Sequence, residues 1–148
     1  MKAITTLIVI SDDRQARLLE NRGVGKGINE VKEISASDFD DVETRYSDRP
    51  GRGHASAGTA RAAMERSTSE QRQERQAFAR HVLDNIETLM QKGEYDRLAM
   101  VAAPQMLGEL RNIIGADLRK KLVFDIDKDL VNIPTAKLAD HFADKIAF

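Results

Sequence analysis

Leu7-Ile8-Val9-Ile10 leaves no solvent-facing position on the strand it would form. A half-exposed strand alternates apolar and polar residues, whereas an unbroken apolar run belongs to a strand covered on both faces. Leu98 to Ala103 repeats the pattern much later in the chain. Two such strands require layers above and below one sheet, which points to an α/β fold class. The 148 residues fit a single domain, 1–148. Lys2 before the apolar run resembles the start of a signal peptide. The run is short, follows Thr5-Thr6, and ends in Asp12-Asp13 without a small-residue cleavage site, so a first strand is the better reading. No stretch reaches membrane-spanning length. The chain has no Cys, which removes disulfides and thiolate chemistry and suits a reducing compartment. A cytoplasmic location is expected.

The remaining elements follow from periodicity. Arg14 to Leu19 places Ala16 and Leu18 on one strand face, and Ile28 to Ile34 reads as a weaker third strand. Between them, Gly23-Val24-Gly25-Lys26-Gly27 reads as a hairpin turn, and short turns favour an antiparallel meander. Ser67 and Glu70 fit a capping box opening a long helix, with Phe78, Val82, Ile86, Leu89 and Met90 as its apolar stripe. Its first turns, Gln71 to Gln76, are polar and expected in solvent. Pro104 opens a helix with Leu107, Leu110 and Ile114 inward, closed by Gly115. Leu122 to Ile126 is a further strand, and Pro134 begins a last helix with Leu138, Phe142 and Ile146 inward. The predicted order, β-β-β-α-β-α-β-α, is that of a ribonuclease H-like mixed sheet with helices packed on its faces.

Residues 35–69 lack periodicity and form a long polar insert before the first long helix, either functional or mobile. Net charge is −1, yet Arg45 to Arg75 holds seven Arg against four acids, a local +3 against −4 elsewhere. That asymmetry is the one electrostatic hint of an anionic partner. Within the insert, Gly51, Gly53 and Gly58 permit close backbone approach, while Arg49 and Arg52 offer planar, bidentate phosphate contacts. Composition by itself reads the insert as a solvated loop.

Other chemistry has weaker support. Asp12 and Asp13 sit at a strand end, where a two-metal nuclease would place carboxylates, and Glu70 or Glu74 could join them from the helix, but the strand ending Ala102-Ala103-Pro104 brings none. Their plainer role is a turn. Asp125, Asp127 and Asp129 imitate the start of a calcium loop, but Leu130 and Ala136 stand where it needs Gly and Glu. The glycine-rich turn joins two strands, whereas a phosphate cradle precedes a helix. His54, His81 and His141 form no ligand set. No catalytic residue, metal site or cofactor is expected.

Val9 to Glu20, Asp48-Arg49-Pro50-Gly51-Arg52, Phe78-Ala79, Met100 to Arg111 and Lys128-Asp129-Leu130 together resemble the bacterial host-attachment protein family. Ala103-Pro104, Leu107-Gly108 and Leu110-Arg111 are the most specific of these landmarks, which span nearly the whole chain. That family is similar to the middle domain of archaeal and eukaryotic peptide-chain release factors. In those factors a Gly-Gly-Gln loop followed by an Arg-rich helix enters the peptidyl-transferase centre. Gly51-Arg52-Gly53-His54, with Arg61 and Arg66, occupies a comparable place here, but Gly-Gly-Gln is missing, and peptidyl-tRNA hydrolysis would need His54 to stand in for the Gln. The resemblance implies a role linked to host attachment, acting as an RNA- or ribosome-binding domain through Arg49, Arg52, His54, Arg61 and Arg66. A protein-interaction or regulatory domain is the alternative. A peptidyl-tRNA hydrolase or nuclease is the third reading.

Overall fold

The computed structural model describes residues 3–37, 60–92, 95–142 and 145, with side chains in the long helix from Thr68 onward. Five strands form one mixed sheet: β1 (Thr6–Ser11), β2 (Gln15–Asn21), β3 (Asn29–Ser35), β4 (Arg97–Ala102) and β5 (Leu122–Ile126), in spatial order β3-β2-β1-β4-β5. β1, β2 and β3 are an antiparallel meander, while β4 and β5 run parallel to β1. The predicted mixed sheet is therefore the observed one. Every residue of β1 is buried, as its apolar run requires of a central strand.

The helices are α1 (Ala60–Gln91), α2 (Pro104–Ile113), α3 (Ala116–Lys121) and α4 (Thr135–Phe142). One core lies under α1, α2 and α3, where Leu7, Val9 and Met100 of the sheet meet Phe78, Val82, Leu107 and Leu118. The other lies under α4, where Ile8, Ile10 and Val101 meet Leu138 and Phe142. Alternation along β1 thus feeds two cores, and each fully buried large side chain contributes about 1.5–3 kcal/mol.

The α1 stripe is buried as expected at Phe78, Val82, Ile86 and Met90. Its start differs from expectation. The helix begins at Ala60, so Ser67 is an interior residue and not the N-cap. Ala60-Arg61-Ala62-Ala63-Met64-Glu65-Arg66 is a run of strong helix formers, which carries the helix upstream past the capping-box pattern. A second difference lies at Gly115. The sequence reading ends a helix there, whereas Gly115 also precedes α3, whose only buried residue is Leu118. Six residues with one apolar anchor are too few for periodicity to register. Ile146, expected inward, lies outside the described residues.

The glycine-rich segment is a β2–β3 connection, with positive φ at Gly23, Gly25 and Gly27. The buried Asn21 pins it. Its Nδ2 donates to the carbonyls of Gly23 (3.0 Å) and Gly27 (2.8 Å), and its Oδ1 accepts from the Gly23 N–H at 3.1 Å.

Candidate functional site

The parallel strands β1, β4 and β5 end at one rim of the sheet, where β2 begins and β3 ends. Ligands of open α/β sheets bind outside such carboxyl ends. Here the rim holds a crevice of about 790 Å³ bounded by Asp12, Asp13, Ser37, Gln105, Asp129 and Asn132, among others. The stretches Val9 to Glu20 and Met100 to Arg111, far apart in sequence, meet at this rim because β1 and β4 are neighbours.

Asp12 serves the β1–β2 turn. Its Oδ1 accepts the backbone N–H of Arg14 (2.8 Å) and Gln15 (2.7 Å), and its own N–H donates to the Gln15 carbonyl at 2.9 Å. Asp13 faces Arg75 of α1, whose Nη1 lies 3.3 Å from Asp13 Oδ2 and 3.1 Å from Gln105 Oε1. Arg75 Nε lies 3.6 Å from Glu109 Oε2, an ion-pair separation too long for a hydrogen bond. Asp12 and Asp13, the strand-end carboxylates of the nuclease reading, are thus engaged in turn and helix contacts. Among the described residues, no group of three or more His, Asp and Glu is placed to hold a metal.

Arg75 corrects one expectation. Gln71, Arg72, Gln73, Glu74 and Gln76 are exposed as predicted, but the Arg75 side chain is only 13% exposed. Position 75 lies four residues before Ala79 and seven before Val82, so it shares the buried stripe. That spacing was readable in the sequence. Upstream of Arg75, α1 leaves the sheet. Arg75 sits at the carboxyl rim, while the far end of α1 lies near Tyr95, whose hydroxyl donates to Glu20 Oε1 at the end of β2. The 15 residues from Ala60 to Glu74 therefore extend past the rim as an arm about 22 Å long. From Thr68 to Glu74 every residue is exposed.

The predicted anion-binding residues divide accordingly. Arg61 and Arg66 are on this arm, with side chains outside those described. Arg49, Arg52, His54 and the glycines Gly51, Gly53 and Gly58 lie in 38–59, outside the described residues. That segment links Ser37, at the rim, to the tip of the arm. His81 is half-buried in α1 and His141 is exposed in α4.

Arg17 escaped the sequence reading. It is buried in β2 on the α4 side, where its Nε donates to Glu30 Oε1 (2.7 Å), Nη1 to the carbonyls of Val131 (3.2 Å) and Ile133 (2.6 Å), and Nη2 to Thr135 Oγ1 (2.7 Å). One guanidinium thus ties β3, the loop after β5 and the start of α4 to the sheet. Its five donors in a rigid fork suit that task. The sequence signal was Arg17 beside Leu19 on the face opposite Ala16 and Leu18. Elsewhere the Arg111 guanidinium, donating to Asp125 Oδ2 at 2.7 Å, holds that carboxyl below its usual range against the opposing effect of partial burial. Burial pushes Glu20 upward, but hydrogen bonds from Tyr95 and Arg22 outweigh it and leave the carboxyl lowered.

No curated protein matches this chain. The crystal structure of an archaeal translation termination factor, aRF1, is similar at 15% identity with a TM-score of 0.45. The match covers 96% of this chain and 35% of that one, so the chain spans about a third of that factor's length. The model of bacterial archaeo-eukaryotic release factor family 12 matches residues 5–142, from the residue before β1 to the last residue of α4, and the chain belongs to that family.

Proposed function

We propose that this release-factor-like domain binds RNA, on or off the ribosome, through its projecting arm and the segment that joins it. The observation that supports this is the arm: about 22 Å of helix standing beyond the sheet rim, carrying Arg61, Arg66 and Arg72 interleaved with Glu65, Glu70 and Glu74. Residues 38–59, with Arg49, Arg52 and His54, connect to its tip. A protrusion bearing Arg side chains can enter an RNA-lined space that the body of the domain cannot. The Gln of Gly-Gly-Gln is missing, so the reading is one of binding without peptidyl-tRNA hydrolysis. An influence on attachment to host cells would then be indirect, through what the cell translates.

A protein partner is the second reading, and the crevice favours it. Asp12, Asp13 and Asp129 outnumber Arg14 around that opening, a balance that disfavours a phosphate backbone there.

Ribosome co-sedimentation at low and moderate salt separates the two. The wild type is expected to sediment with ribosomes in a salt-sensitive manner, and Arg49→Glu/Arg52→Glu and Arg61→Glu/Arg66→Glu to lose it. Each RNA phosphate contact removed should flatten the log–log salt slope by about 0.7–0.9. A wild type that never sediments, and binds no isolated RNA, would exclude the RNA reading and leave the protein partner.

A further inference from the structure

The capping pattern Ser67-Thr68-Ser69-Glu70 lies inside α1, downstream of its start at Ala60, and the proposed function gives it no role. In a helix that begins at Ser67, the Ser67 hydroxyl accepts the Glu70 N–H and the Glu70 carboxylate accepts the Ser67 N–H. Glu70 then stands in the first turn, where the helix dipole favours an acid. The start at Ala60 has no acid in its first turn, and after Thr59 the third residue on is Ala62, where a capping box needs Glu or Gln. Residues Thr68 to Glu74 are all exposed. The anchors of α1 that follow are common to both starts: Glu74 with Arg14, Arg75 with Asp13 and Gln105, then the buried Phe78. The choice between starts therefore falls to local helix energetics.

Those energetics are nearly balanced. Good helix formers have propagation constants of about 1–1.6 near 0 °C, so the run from Ala60 to Arg66 favours the longer helix by at most about 25-fold. Ser67, Thr68 and Ser69 must be passed to reach that run, and each propagates a helix roughly twofold less well than Ala. Loss of the capping box opposes extension by about fivefold more. The longer start thus leads by about tenfold at most, which leaves the shorter one about a tenth of the population or more.

We infer that α1 has two starts, Ala60 and Ser67, and that the arm switches between about 22 Å and about 10 Å. The use of this switch rests on the RNA reading. A polyanion selects the longer start, which alone brings Arg61 and Arg66 onto the helix beside an N-terminus without an acid.

Amide hydrogen exchange of the full chain, followed by NMR, tests this. In the shorter helix the amides of Met64 to Ser69 lose their helical acceptors, whereas those from Gln71 onward keep them in both. Protection is expected to step up between Ser69 and Gln71, with Met64 to Ser69 protected by about tenfold or less. Ser67→Ala removes the box, so it should raise protection of Met64 to Ser69 by about fivefold or more. Ser69→Ala changes propensity alone and should raise it only about twofold. An even gradient of protection from Met64 to Glu74 overturns the inference, as does a response to Ser67→Ala no larger than that to Ser69→Ala. No protection from Met64 to Ser69 in any of the three proteins leaves a single start and overturns it too. A single-stranded RNA oligonucleotide should erase the step. A step that ignores RNA counts against the RNA reading and leaves the two starts in place.

Discussion

Arg17→Met should be among the most destabilising single substitutions in the described part of this chain. The side chain is 10% exposed and makes four polar contacts, one of them to the Glu30 carboxylate. Met matches its length and supplies apolar packing, so the loss is in hydrogen bonding. The Val131 carbonyl, in a buried residue, and the partly buried Ile133 carbonyl would lose the donor that satisfies them. Removing one member of a buried, charge-assisted network costs about 3–5 kcal/mol. Glu30→Gln should cost less than about 1 kcal/mol, because the Glu30 side chain is 38% exposed and water replaces the contact. Thr135→Ala should fall between, near about 1 kcal/mol. Urea unfolding monitored by circular dichroism reads all three, and at this chain length the Arg17 variant should melt roughly 10 °C lower. Amide hydrogen exchange should localise the loss first to 131–138, the segment this guanidinium ties down. A change below about 1 kcal/mol for Arg17→Met, or protection of 131–138 no different from the wild type, would refute the assignment of Arg17 as the tie between α4 and the sheet.

Two other outcomes can be checked on the same material. Asn21→Ala removes both donors and the acceptor that close the β2–β3 turn, so it should cost about 2 kcal/mol in urea unfolding, whereas Gly25→Ala, in open space but at φ +83°, should cost only about 1 kcal/mol. Asp125 has a lowered folded-state pKa, so its pairing with Arg111 contributes stability above the unfolded carboxylate value and loses it as pH falls through the folded value. Arg111→Met should therefore move the Asp125 carboxyl midpoint upward in an NMR titration and shrink the acid-side loss of stability, while leaving the Glu20 midpoint in place.

Much of the fold was legible because burial leaves a local trace. The runs Leu7–Ile10 and Leu98–Ala102 read as central strands and are the two most enclosed ones, and the α1 stripe was visible at its own spacing. The release-factor resemblance rested on segments that the family match spans. The start of α1 was misread because a capping pattern is a local preference, and seven upstream helix formers outweigh it. α3 was missed because one buried Leu118 makes no period. Of the proposed anion-binding residues, the structure places only the backbone of Arg61 and Arg66, on the arm.

The sequence by itself determined the five strands, the body of α1, α2 and α4 and most of the faces they bury, since alternation and helical spacing are properties of neighbouring residues. Only the tertiary structure decided that β4 lies beside β1, that Asp13 meets Arg75, and that Arg17 reaches Ile133. Those contacts join residues 62 to 116 positions apart. Their existence depends on strand order and helix placement, which the packing of two whole cores selects and no local pattern encodes.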